Sequence, residues 1–281
     1  MNKNRGLLYG EAATEVALRC DYLRGRLPMT ESSPSEWYAS WFDSPHYHRL
    51  YGHRSTDEAR RFIDRLQAHF QWPASRWLDL ACGKGRHAAA AARLGHRVTG
   101  MDLSPQSITA AQELYKGQNG LDFTTGDMRH FEHADRFDGV LNLFTSFGYF
   151  DRSEDHHAVL RQVHRHLVPG GFFILDFLDV DFALSRLVAE ESVEREGVTY
   201  HLTRRFGPLP GGTPGFSKDI AFEEEGKRHH FTERVAGLRQ SELVEMLSGC
   251  GFETRHTFGD YSLNDWVAGE SPRVILYAVC S

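Results

Sequence analysis

The sequence predicts an α/β fold: a parallel sheet covered by helices on both faces, carrying a small antiparallel β insertion. Three observations predict it. Between about residues 74 and 178, short apolar runs alternate with helical stretches, the pattern of strands buried on both sides. The first of these runs ends in a glycine turn, Gly83-Lys84-Gly85, that opens a helix. After residue 178 the rhythm breaks into strand-like pieces around a Pro/Gly loop, and it resumes only near residue 241.

The elements follow in order. Trp37–Gly52 (WYASWFDSPHYHRLYG) is aromatic, with an imperfect helical period. Thr56 opens a cleaner helix: Asp57 and Glu58 suit its positive end, and Phe62, Ile63, Leu66 and Phe70 form an apolar stripe that Pro73 ends. Arg76–Cys82 is the first strand and Arg86–Leu94 an Ala-rich helix stopped by Gly95. His96–Leu103 is the second strand. Ser104 caps the next helix, with Pro105 in its first turn. Leu121–Thr125 and Phe137–Phe144 are the third and fourth strands. Asp155–Leu167 is a helix closed by Pro169-Gly170-Gly171, and Phe172–Phe177 is the fifth strand. Val180–Glu191 reads as a helix. Ser192–Phe206, Phe216–Glu224 and His229–Val235 read as strands, with a hairpin turn at Glu225-Gly226-Lys227. Pro208–Gly215 (PLPGGTPG) reads as irregular. A helix at Ser241–Leu247 and strands Glu253–Phe258 and Val274–Cys280 complete the sheet. The expected division is a cover segment at 1–72, a core at 73–180 and 237–281, and an inserted flap at 181–236.

Composition narrows the function. The 281 residues hold 32 Lys+Arg against 38 Asp+Glu, a net charge of −6. A general nucleic-acid binder needs a basic surface, so nucleic acid is an unlikely partner. Cys20, Cys82, Cys250 and Cys280 are scattered and form no CxxC pair, so neither a zinc ribbon nor a disulfide framework is expected. No apolar run reaches the roughly eighteen residues of a membrane span. No apolar signal core lies in residues 1–10. A cytoplasmic location is the expectation.

The informative stretch is Leu78-Asp79-Leu80-Ala81-Cys82-Gly83-Lys84-Gly85. Its glycines let the backbone approach a ligand closely. Asp102 ends the next strand, where a carboxylate can accept from both ribose hydroxyls. Together they describe an adenosine-containing ligand across the strand ends. Gly83-Lys84-Gly85-Arg86-His87-Ala88 also fits the GxGxxA dinucleotide fingerprint, with Asp102 at its expected spacing, so NAD stays open on this motif alone. Asp79 shifts the balance: it suits a cofactor with a cationic amino-acid end better than one presenting phosphates there. Gly126-Asp127-Met128 follows the third strand, where an acid can accept from an adenine amino group. Asn142–Phe150 follows the fourth, where a transferred group would sit.

With these residues in hand, the chain resembles the class I S-adenosylmethionine-dependent methyltransferases of the small-molecule type, over roughly residues 35–281. LDLACGKG (Leu78–Gly85) resembles their glycine-rich first motif, and MDLS (Met101–Ser104) the acidic ribose motif. GDM (Gly126–Met128) resembles the adenine-side motif, LNLFTSFGYF (Leu141–Phe150) the segment after the fourth strand, and LVPGG (Leu167–Gly171) the turn before the fifth. The resemblance implies a Rossmann-like, seven-stranded, mostly parallel sheet whose last strand is antiparallel, with the antiparallel insertion after the fifth strand. It implies S-adenosyl-L-methionine as cofactor and in-line methyl transfer to a small-molecule acceptor. By position, Asp79, Ala81, Gly83 and Gly85 would line the methionine part, Asp102 would hold the ribose, and Leu103, Asp127 and Met128 would flank the adenine. Asn142 and Leu143 would lie under the sulfonium. Tyr38, Tyr51 and Arg54 are the nearest matches to the cover residues that reach the cofactor.

The chemistry asks for alignment first, then a base if the nucleophile is poor. His156 and His157, beside Asp155, are the candidate bases, with Tyr149 as a third catalytic candidate. Both histidines also suit a plain surface helix, and adjacent residues on a helix point apart; no metal site is expected. Phe147 and Tyr149 would shape the acceptor pocket, although ordinary core serves them equally well. Arg204 and Arg234 would clamp an acidic acceptor if the flap roofs the pocket, and otherwise form a wet sheet face. The alternatives are a protein or RNA methyltransferase, an NAD-dependent oxidoreductase, or a non-catalytic adenosyl-binding protein. A homodimer through the flap is a further expectation, because exposed sheet edges need covering.

Overall fold

The strands stack in the order their burial dictates. The computed structural model describes residues 37–52 and 55–281. Strand β1 (Arg76–Leu80) is buried on both faces from Trp77 onward. It pairs in parallel with β2 (Arg97–Asp102) on one side and β4 (Phe137–Asn142) on the other. β3 (Leu121–Thr125) adds to β2, and β5 (Leu167–Leu178) adds to β4, both parallel. β11 (Arg273–Cys280) runs antiparallel to β5 and to β10 (Phe252–Phe258). The sheet order is β10-β11-β5-β4-β1-β2-β3, seven strands with only β11 reversed. Alternation along the strands feeds two cores. Leu78, Leu80, Val140, Phe173 and Leu175 face one side, and Trp77, Val98, Leu141 and Ile174 face the other.

Helices close both faces. α3 (Thr56–Phe70) starts at Ser55, whose side chain accepts from the Glu58 N–H, and it buries Phe62, Ile63 and Leu66. It packs on α4 (Arg86–Arg93), an Ala-rich helix small enough for close approach to the sheet. α5 (Pro105–Leu114) follows β2, and α6 (Ser153–His166) precedes β5.

Beyond β5 the chain makes a second, four-stranded antiparallel sheet, β6 (Glu190–Arg195), β7 (Val198–Pro208), β8 (Pro214–Glu224) and β9 (Lys227–Ala236). Sequence reading differs from it in two places. The helix expected over Val180–Glu191 stops early, as α7 (Val180–Ser185), and the stretch read as one strand from Ser192 is split. The cause is a two-residue turn at Glu196-Gly197 with φ of 50° and 78°, the left-handed pair that suits hairpin twist. The PLPGGTPG stretch is also more regular than expected, because the β7–β8 ladder runs out to Pro208↔Pro214. α8 (Gln240–Gly249) then leads back to β10.

Helices α1 (Trp37–Phe42) and α2 (Pro45–Tyr51) lie against this second sheet. The Trp41 ring sits 4.5 Å from that of Phe231, and its indole N–H donates to Glu233 at 2.6 Å. Arg49 pairs with Glu224. Among the described residues no helix is long and apolar enough to cross a membrane.

Candidate active site

The exit of β1 is built around left-handed backbone. Ala81, Gly83 and Gly85 have φ of 60°, 56° and 78°. A Cβ on Gly83 would meet no atom within 4 Å, so this glycine leaves open space where a ligand can reach the backbone. Gly85 differs. Its added Cβ would lie 2.4 Å from the Phe123 ring, and Gly85 lines neither cavity described below. Its absent side chain admits Phe123, so the structure gives it a packing role in place of the expected cofactor contact.

Two carboxylates face this turn. Asp79 is 1% exposed, and one of its oxygens accepts from the Ala88 N–H at 3.0 Å. Burial first, and then the nearby Asp102, push its pKa up to about 7. A carboxylate so placed is short of a cation. Asp102 ends β2. It accepts from the Gly83 N–H at 2.8 Å and from the Ser104 N–H at 2.9 Å. Burial raises its pKa more than these bonds lower it. Ser104 donates its hydroxyl to Asp43 at 2.6 Å, tying the α1–α2 turn to the start of α5.

Two adjoining cavities open at these strand ends and share Phe42, Ala81, Asp102 and Tyr149. The smaller is an apolar slot walled by Tyr38, Leu103, Gly126, Asp127, Met128 and Phe150. The larger holds about 310 Å³ and is lined by Asp79, Gly83, His87, Leu143, Phe144 and Ser146, with α2 supplying Tyr47, His48 and Tyr51. Asp127 does not offer its carboxylate freely, because Arg129 engages both oxygens, at 3.1 and 2.6 Å. The same guanidinium lies 4.9 Å from the Phe150 ring centroid and 5.9 Å from that of Tyr38. Arg129 thereby clamps the wall of the slot, a part that sequence reading missed although it directly follows Gly126-Asp127-Met128.

The segment after β4 is strained and held from below. Phe144 and Thr145 have φ of 63° and 61°, each costing on the order of 1 kcal/mol or more. Asp176 is fully buried under them. It accepts from the Phe144 N–H at 2.7 Å, from the Tyr261 hydroxyl at 2.8 Å and from Arg273 at 2.7 Å. Arg273 also donates to Thr145 Oγ1 at 2.9 Å. Nothing in the local sequence singled out Asp176 or Arg273, since their partners are 32 and 97 positions away from Asp176.

Asp79, Ala81, Gly83, Asp102, Leu103, Asp127, Met128, Tyr38, Tyr51, Leu143 and Tyr149 all line one or both cavities. The Tyr51 hydroxyl is engaged by Lys218 and by Glu233, the latter at 2.8 Å, so it is its ring that borders the cavity. Arg54 lies outside the described residues. Asn142 is fully buried, with its amide donating to the Leu80 carbonyl at 3.0 Å, and it lines neither cavity. The side chain of Phe147 is wholly in the core. His156 is buried against Phe147 and Phe150, and burial pushes its pKa down to about 4. His157 is spent on the Ser153 carbonyl at 2.9 Å. Neither histidine lines a cavity: His156 packs beneath the segment that follows β4, and His157 turns back onto its own helix. Arg204 pairs with Glu191 at 2.7 Å and Arg234 with Asp151 at 3.7 Å, both on the insertion and outside the cavities. Among the described residues no group of three or more His, Cys, Asp or Glu is placed to hold a metal.

Residues 78–171 match the family described as Methyltransferase domain. The "Putative methyltransferase YqeM" of Bacillus subtilis (strain 168) is 26% identical over 225 residues, covering 77% of this chain and 87% of that one. A dTDP-3-amino-3,4,6-trideoxy-alpha-D-glucopyranose N,N-dimethyltransferase of Streptomyces venezuelae is 31% identical over 128 residues, 45% of this chain and 52% of that one. Among solved structures, an S-adenosylmethionine-dependent methyltransferase from Clostridium acetobutylicum ATCC 824 superposes with a TM-score of 0.70. It is 19% identical and covers 87% of this chain and 98% of that one.

Proposed function

We propose that the chain, whose residues 78–171 match a methyltransferase domain, is a class I S-adenosylmethionine-dependent methyltransferase whose acceptor is a small molecule presenting a neutral amine nitrogen. The observation that carries this is the acceptor side of the larger cavity, walled by Phe42, Tyr47, His48, Tyr51, Leu143, Phe144, Ser146 and Tyr149. It is aromatic, with no carboxylate among these residues and His48 as their one imidazole. An amine in its free form needs alignment rather than deprotonation. The N,N-dimethyltransferase relative supports the same choice of atom.

The cleft fits the cofactor by chemistry. Asp79 is a buried carboxylate with no ion-pair partner among the described residues, Gly83 leaves its Cβ space open, and the slot beside Leu103 and Met128 is apolar. When bound, the cofactor supplies a methyl group on a cationic sulfonium. Asp79 would hold the ammonium of its amino-acid end, and Asp102, fixed by two backbone N–H groups, would accept from the ribose hydroxyls. Leu103, Met128, Tyr38 and Phe150 would border the adenine, while Arg129 keeps that wall in place. Leu143, Phe144 and Tyr149 would border the reacting centre, exclude water and orient the incoming nitrogen. That alignment is worth several kcal/mol. The proton left on the nitrogen after transfer passes to solvent. A panel of small amines, phenols and carboxylic acids assayed with S-adenosylmethionine tests the reading. Turnover should be confined to amines and should rise with pH until the amine's own pKa. Phenol turnover without amine turnover would reverse it.

The insertion presents a strand edge at β6 whose exposed side chains include Glu190, Glu191 and Glu194. Clustered like charge opposes pairing of two such edges. If two copies associate through the insertion, they must use its face rather than this edge, and light scattering at two salt concentrations reads the difference.

A further inference from the structure

His87 fills a variable position of the Gly83–Ala88 stretch, one to which the fingerprint assigns no contact. It is the second residue of α4, where the glycine turn becomes helix. Its side chain is 8% exposed and lies in the wall of the larger cavity with Asp79, Gly83, Lys84 and Arg86. No hydrogen bond to another described residue engages its ring. A ring nitrogen without a protein partner at a cavity wall is met there by water or by a ligand. Burial, and then the neighbouring Arg86, push its pKa down to about 3. The ring is therefore neutral in the working pH range and keeps one N–H to donate.

The surroundings sort by charge. Asp79 is the acceptor for a cation. The other groups at this end of the cavity are donors: Lys84, Arg86 and the first turn of α4. No side chain caps that helix, and its Ala88 N–H already goes to Asp79. A helix start with spare N–H groups favours an anion. The methionine end of the cofactor carries an ammonium and a carboxylate on one carbon. The geometry points to His87 as a neutral hydrogen-bond donor to that carboxylate, complementing Asp79 on the ammonium. This rests on the cofactor reading given above.

Two ligands separate the possibilities. S-adenosylhomocysteine has the amino-acid end, and 5′-methylthioadenosine has the same adenosine without it. Calorimetric titration of the wild type, His87→Phe (shape kept, donor lost) and His87→Gln (donor kept) reads the contact. His87→Phe should weaken S-adenosylhomocysteine by about tenfold or more and leave methylthioadenosine within about twofold. His87→Gln should recover most of the loss. The wild-type advantage over His87→Phe should stay constant from about pH 7 to 9, because the ring does not titrate there. Equal weakening of both ligands, with a lowered Tm, would make His87 a packing residue and overturn the proposal. Unchanged affinity for both ligands would overturn it as well, and if turnover fell at the same time the contact would be to the acceptor. Failure of the wild type to bind either ligand would instead defeat the cofactor reading itself.

Discussion

Asp79 sets two opposed pH dependences at the scale of a single residue. Its folded pKa of about 7 stands above the ordinary 3.8. A carboxyl with a raised pKa stabilises the fold while protonated, so the ligand-free protein loses stability as pH rises from about 4 through about 7. Asp79→Asn removes that loss and keeps an acceptor for the Ala88 N–H, so its ligand-free Tm should exceed the wild type's at pH 8 by scanning calorimetry. Cofactor binding runs the other way. The ammonium needs the ionised form, so wild-type affinity should fall by up to about tenfold per pH unit below pH 7, and Asp79→Asn should bind weakly at every pH. Asp79 and Asp102 were legible because each sits at a strand exit that ends in a defined turn. Gly85 carried the same signal for a different cause, the Phe123 ring, and one-dimensional spacing does not separate a glycine that faces a ligand from one that faces a side chain. His87 was hidden for the opposite reason, lying in an alanine-rich run that reads as plain helix.

The post-β4 segment is the element whose stability depends most on distant residues. Its two left-handed residues are held by Asp176, Arg273 and Tyr261, two of which come from beyond the insertion. Removing one partner of a buried pair costs about 3–5 kcal/mol. Arg273→Met should therefore lower Tm markedly in thermal melts. Tyr261→Phe keeps the charges and should cost about 1 kcal/mol, with a larger loss in kcat than in cofactor affinity. The helices and parallel strands around this segment were readable because burial repeats along each of them. The Glu196-Gly197 turn was not, because the strand before it is exposed and charged and carries no clear period, so only the alternation after it, at Val198, Tyr200 and Leu202, marks a strand.

On the scale of the whole molecule, the insertion is a platform for the cover helices. Glu233 of β9 receives the Tyr51 hydroxyl and the Trp41 indole N–H, and Lys218 of β8 pairs with it at 3.2 Å. At its base the Ala236 N–H donates to the Gly148 carbonyl at 2.8 Å, which joins the second sheet to the segment bordering the cavity. Glu233→Ala should therefore raise the KM for the acceptor several-fold through Tyr51 and α2, with the adenosine affinity little changed, measured as steady-state KM beside methylthioadenosine binding. Sequence reading placed the insertion and the aromatic cover separately along the chain. That the two pack on each other depends on contacts such as Trp41 to Phe231, for which no local pattern exists.

The most direct measurement is calorimetric titration of the purified protein with S-adenosylmethionine, S-adenosylhomocysteine and NAD side by side. Micromolar binding of both adenosyl ligands, lost in Asp79→Asn, with NAD silent, is the expected result. Binding of NAD without adenosyl affinity would contradict the account and return the Gly83–Ala88 stretch to its dinucleotide reading.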